Sequence, residues 1–147
     1  MSGIRAVLRV FAATLLAGVI LSTAPVRADT AADERIHLQG LIQQQLDAFR
    51  RDDGEKAFSF AGTLVHQRFQ DADTFMKMVR DAYAAVYRPR SVVFGQIVKT
   101  ESGPIQVVYL GGPDGVGYIA FYSFEQQPDG TWRIAGCLLQ KNPGDPI

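Results

Sequence analysis

The spacing of the apolar residues changes period once, near residue 90, and that change constrains the fold more than any other feature of the chain. Before it, apolar side chains recur three or four residues apart, which gathers them on one face of a helix. After it they alternate, as they do in a strand with one face turned inward. Helices first and strands afterwards make an α+β domain.

The helical spacing predicts a first helix over 33–51. Ile36, Leu38, Leu41, Ile42, Leu46 and Phe49 form its apolar stripe, with Gln39, Gln43, Gln44 and Asp47 opposite. Asp52 or Asp53 is placed to cap a short second helix over 54–62. Residues 63–70 (TLVHQRFQ) fit either a short strand or a turn. A third helix is expected after Asp71 or Asp73, with Phe75, Met76, Val79, Tyr83 and Val86 inward. It runs to about Tyr87, and Pro89 stops it.

Strands are expected over 91–100, 105–110, 117–126 and 131–140. The links between them, Ser102-Gly103-Pro104, Gly111 to Gly115 and Pro128-Asp129-Gly130, are turn sequences too short for anything but hairpins. The result is an antiparallel meander. Strict alternation places Tyr118, Ala120, Tyr122 and Phe124 on one face of the third strand, opposite Ile119, Phe121 and Ser123. In the fourth it sets Trp132, Ile134 and Leu138 against Ala135, Cys137 and Leu139. Both faces are apolar and both need cover. The three helices cover one, and the sheet of a second copy in a homodimer is expected on the other.

The N-terminus has the layout of a cleavable export signal. Arg5 and Arg9 precede an apolar run, Phe11 to Leu21, and Val26 and Ala28 stand where a signal peptidase reads small residues, so cleavage is expected after Ala28. The run falls short of the roughly 20 apolar residues of a membrane span and meets Pro25 and Arg27 at once. The expected product is a periplasmic or secreted domain over 29–141, with a turn-rich, frayed tail over 142–147. Losing Arg5, Arg9 and Arg27 takes the 15 basic residues to 12 against 15 acidic ones, a net charge of −3. A mildly acidic chain with no basic run has no electrostatic footprint for nucleic acid. Its one cysteine, Cys137, cannot form an internal disulfide and reads as a small buried hydrophobe.

Three segments carry a family resemblance: QQLDAFRRDDGEKAFSFA (44–61), VYRPRSVVFG (86–95) and QPDGTWRIAGCLL (127–139). They resemble the exported bacterial family named domain of unknown function 4864, over nearly all of the mature chain, with Tyr-Arg-Pro-Arg-Ser-Val (87–92) as the distinguishing piece. The order of elements also resembles the nuclear transport factor 2-like superfamily. That resemblance implies a cone in which a bent four-stranded antiparallel sheet curls around a long helix, with about three N-terminal helices packed on it and a pocket at the open end. It implies a fold and a compartment, and no defined activity.

A pocket between the sheet and the helices is where a small molecule would sit. Phe58, Phe60, Phe75, Tyr83, Tyr87, Tyr109, Tyr122 and Phe124 either line such a pocket or simply fill the core. Tyr83, Tyr87 and Tyr122, with Arg90, Asp47 and His66, are the ligand-binding candidates. Arg88 and Arg90 flank Pro89. They can hold helix carbonyls, pair with Asp47 or Asp81, or grip a ligand carboxylate, and Arg90 ranks first as the selective cation. His66 lacks the spacing of a metal ligand and acts as a base only where Asp47 or Asp71 orients it.

No Asp or Glu lies in the middle of a strand, so no catalytic residue is assigned, and no cofactor or metal is expected. Gly111 to Gly115 lacks the Lys-Ser/Thr of a phosphate loop. The expected function is binding, without catalysis, of a small apolar or amphipathic ligand or a protein partner. The alternatives are an isomerase, dehydratase or epoxide hydrolase on the same scaffold, and an envelope-associated interaction module with a filled core.

Overall fold

A computed structural model of the chain describes residues 26–142 and 144. The expected signal segment up to residue 25, and tail residues 143 and 145–147, lie outside them. The elements in order are α1 (Val26–Arg50), α2 (Gly54–Ser59), α3 (Thr63–Phe69), α4 (Ala72–Ala82), α5 (Ala84–Tyr87), β1 (Ser91–Thr100), β2 (Gly103–Gly111), β3 (Gly117–Gln126) and β4 (Trp132–Lys141). The fold is α+β, with the helices packed against one face of an open four-stranded antiparallel sheet of order β1-β2-β3-β4.

The helices differ from expectation in three places, two of them for a reason that lies far along the chain. Residues 63–69 form a helix, not a strand or turn. Gly62 has no side chain to cap it, but Glu125 of β3 accepts the Thr63 N–H at 2.7 Å, and Val65 and Phe69, one turn apart, pack on the core. The expected third helix divides into α4 and α5 at Tyr83, whose backbone leaves the helical region at φ −127°, ψ 43°. There the Tyr83 hydroxyl donates to the Cys137 carbonyl at 3.0 Å, tying the break to β4. The first helix begins at Val26, well before residue 33, and Ile36 is 65% exposed, not inward.

The caps themselves follow from sequence. Asp53 accepts the Lys56 N–H at 3.1 Å to start α2, and Asp71 accepts the Thr74 N–H at 2.7 Å to start α4. Asp52, the other candidate beside Asp53, sits in the left-handed region at φ 55° and turns the chain out of α1.

Two β-bulges shape the sheet. In β4 the register passes from Ser123↔Gly136 to Phe124↔Ile134, so Ala135 is an extra residue. Alternation therefore resets, and Ile134, Cys137 and Leu139 share the helix-facing side with Phe124, Tyr122 and Ala120. Leu138, paired by strict alternation with Ile134, instead faces outward and is 57% exposed. The second bulge lies in β1, between Phe94 and Ile97. The wholly buried side chain of Gln106 donates to the Gly95 carbonyl there at 2.9 Å and accepts from Gln39 of α1 at 3.0 Å. A buried amide thus satisfies the irregular backbone and joins sheet to helix.

The core lies between α1, α2, α4 and the helix-facing side of the sheet. Leu38, Ile42, Leu46 and Phe49 of α1 meet Val108, Leu110, Ala120, Tyr122 and Phe124. Among the described residues, the other side of the sheet has no such cover. Its apolar residues include Val93, Ile105, Tyr109, Ile119, Phe121 and Leu138, of which Val93 is 49% exposed.

Candidate functional site

A cavity of about 460 Å³ opens between the helices and the β3–β4 half of the sheet. Gln45 and Phe49 of α1 line it, with Leu64, Val65, Arg68 and Phe69 of α3 and Phe75, Met78 and Val79 of α4. Tyr122 of β3 and the stretch Ile134 to Cys137 of β4 complete the wall, so the Ala135 bulge shapes the site directly. Most of the lining is apolar, as in sites that take small molecules, and a few polar groups interrupt it.

Those polar groups cluster on the sheet side. Tyr122 is 1% exposed, and its hydroxyl has no hydrogen-bond partner among the described residues. Its cross-strand neighbour is Cys137. The phenol and the thiol lie within reach of a weak side-chain hydrogen bond that affects both groups, yet no partner of ordinary hydrogen-bond geometry meets the hydroxyl among the described residues. Burial pushes the Tyr122 phenol well above its ordinary pKa and the Cys137 thiol up to about 12. The Cys137 residue keeps some accessible surface, yet its sulfur lies deep enough for desolvation to dominate. Burial also raises the Tyr83 phenol, against a smaller opposing effect of the Arg68 guanidinium. Gln45 is held by its donation to the Ala57 carbonyl at 3.1 Å.

At neutral pH the cavity therefore presents protonated phenols and a protonated thiol, with Arg68 as the one charged lining residue among those described. A thiol held protonated is a poor nucleophile. Iodoacetamide at pH 7.5 is expected to alkylate Cys137 slowly in the folded protein and rapidly in urea, as followed by intact mass. Equal rates in both states would show that the thiol is open to solvent.

The cavity brings together two of the candidates named from sequence, Tyr83 and Tyr122. The other four stand outside it. Tyr87 is half-buried and donates its hydroxyl to Asp52, while the Arg88 guanidinium lies 4.0 Å from the centre of its ring. Arg88 also donates to the Phe49 carbonyl and, at 2.9 Å, to Asp52, so it fastens the end of α1 to the start of the sheet. The Tyr87 hydrogen bond and then the arginines Arg88 and Arg80 hold the Asp52 carboxyl below its usual range. Arg90 is exposed, and its backbone N–H donates to the Gly111 carbonyl at 2.8 Å.

Asp47 pairs with Arg50 at 2.8 Å and accepts from Gln43 at 3.0 Å; it reaches neither His66 nor Arg90. His66 is exposed on α3, with Nδ1 3.0 Å from the Gly62 carbonyl oxygen and its ring 4.0 Å from that of Phe58. It borders a second, shallower depression with Thr63, Gln67, Gln127 and Arg133.

Arg68, Gln45 and Cys137 are cavity residues that the sequence reading did not select. For Arg68 a signal was present, because Leu64, Val65, Arg68 and Phe69 follow helical spacing once 63–69 is taken as a helix. Among the described residues, no group of three or more His, Cys, Asp or Glu side chains is placed to hold a metal ion, and no helix is long and apolar enough to cross a membrane.

No curated protein and no solved structure matches the chain. A family model does match, over residues 31–147, a span that takes in all four strands, both bulges and every residue of the cavity. The chain belongs to the family described as domain of unknown function (DUF4864).

Proposed function

We propose that this chain is an exported binding domain that holds a small apolar or amphipathic molecule in the cavity between its helices and its sheet. The observation that carries the reading is the Tyr122 hydroxyl, buried without a partner in the wall of a 460 Å³ apolar cavity. An unsatisfied buried hydroxyl costs about 1–3 kcal/mol. A bound molecule with an acceptor oxygen removes that cost, which gives the site both affinity and orientation. The export half rests on the signal-like pattern of residues 1–28. A sheet bulged in β1 and β4 around a long α1 is consistent with a nuclear transport factor 2-like cone.

Binding is favoured over catalysis by the chemistry of the lining. Among the described residues it contains no carboxylate and no imidazole to move a proton, and its thiol is held neutral. Native mass spectrometry of protein taken from the periplasm of its own host tests the reading, and a retained small molecule is the expected result. Empty protein, together with no thermal shift across a panel of apolar metabolites, would sink it.

The outer face of the sheet favours a second element of the reading, a homodimer. Val93 and Leu138 are 49% and 57% exposed beside half-buried Tyr109, Ile119 and Phe121. The cross-strand pair Glu125 and Arg133 at the end of that sheet is opposite in sign. A second copy can therefore cover the patch without like charges meeting. Sedimentation velocity at micromolar concentration is expected to give twice the monomer mass, and Leu138→Lys to return it to one. A monomer at every concentration contradicts the pairing.

A further inference from the structure

We infer, resting on the cavity reading above, that the occupant is a single-chain amphiphile with a carboxylate head, its chain among Phe49, Val65, Phe69, Phe75 and Val79 and its head beside Arg68. The argument starts from unmet needs. Among the described residues Arg68 is the one charged residue of the lining and is exposed, which puts the charge at the opening and the apolar surface behind it. Its guanidinium lies 5.6 Å from the centre of the Phe69 ring and has no carboxylate within ion-pair distance among the described residues.

The same lining holds the Tyr83 phenol, which already donates to the Cys137 carbonyl at 3.0 Å, and the Tyr122 phenol. Of the two phenols, only that of Tyr122 has a hydroxyl with no acceptor among the described residues. A carboxylate is the head that answers this arrangement. Its two oxygens only accept, its charge complements the guanidinium, and its planar fork suits bidentate contact with arginine. An ammonium head meets repulsion at Arg68, and a neutral alcohol leaves the charge unused. The apolar walls exclude a small polar anion, which would give up hydration for a surface with few donors.

Decanoate, decanol and decylamine make the test, titrated calorimetrically into the wild-type protein, Arg68→Gln and Arg68→Glu. Because Arg68 is exposed and without an ion pair, both variants are expected to keep the wild-type melting temperature, checked by circular dichroism. The wild type is expected to bind decanoate roughly fivefold to tenfold more tightly than decanol, a preference that weakens with added salt. Arg68→Gln should reduce decanoate to the level of decanol, and Arg68→Glu should turn the preference toward decylamine. Equal binding of decanoate and decanol by the wild type, or a preference that survives Arg68→Gln, overturns the carboxylate assignment while leaving the cavity reading standing. Failure of all three probes overturns both.

Discussion

Replacing Phe49 with alanine is expected to lower the unfolding free energy by about 3–5 kcal/mol, the usual cost of truncating a packed aromatic. Phe49 is 2% exposed and occupies the last turns of α1. Its ring centroid lies 6.1 Å from that of Phe75, and the side chain forms part of the cavity wall. Because one side of the ring already borders empty space, truncation merges its volume with that cavity, and the wall has little left with which to refill it. The cost rises with the volume that stays empty, which places this variant toward the upper end of the range.

Against a total stability of about 5–15 kcal/mol for a domain of this kind, the loss takes a large share. Equilibrium urea unfolding measures it as a fall in midpoint at unchanged slope. Phe49→Leu retains most of the packing and should lose far less. An alanine variant within about 1 kcal/mol of the wild type would mean that the ring is not part of the packed core.

Tyr122→Phe is expected to move stability and binding in opposite directions. In the empty protein the hydroxyl is buried without a partner, so removing it should stabilise the fold by about 1 kcal/mol. On the proposed function the same hydroxyl donates to the bound molecule, so its loss should weaken binding about tenfold. A melting temperature that rises without ligand, together with a dissociation constant that rises with it, is the combined signature. A fall in stability of the empty variant would instead show that the hydroxyl already has a partner.

The variant also bears on alkaline stability. Burial raises the pKa of both Tyr122 and Cys137, so the fold favours their protonated forms. Their contribution is complete below about pH 8.5, where the unfolded thiol begins to ionise, and it declines as pH rises further because the unfolded chain then binds fewer protons. Tyr122→Phe removes the phenol's share, so its stability should fall less steeply above about pH 10 than that of the wild type.

The pattern of residues anticipated most of the architecture. Asp53 and Asp71 announced the starts of α2 and α4 because an N-cap is a contact between residues three apart. The strands and their hairpin order were legible because alternation and turn chemistry are local as well. The misplacements share a different origin. Residues 63–69 read as a strand or turn because their cap, Glu125, is supplied from the other end of the chain. The break at Tyr83 depends on a carbonyl in β4. Of the six ligand candidates, Tyr83 and Tyr122 meet in the cavity, whereas Tyr87, Arg90, Asp47 and His66 are engaged or exposed elsewhere. Residue type selected all six, and type carries no information about direction.

By itself, then, the sequence determined the order of helices and strands, the hairpin turns and the family, because each is written in spacings of a few residues. Tertiary structure alone decided which side chains share the cavity. One inserted residue at Ala135 resets the alternation of β4 and turns Cys137 toward Tyr122, and one short helix pinned by Glu125 carries Arg68 to the opening. Both depend on pairings between distant parts of the chain, where a shift of one residue exchanges inside for outside.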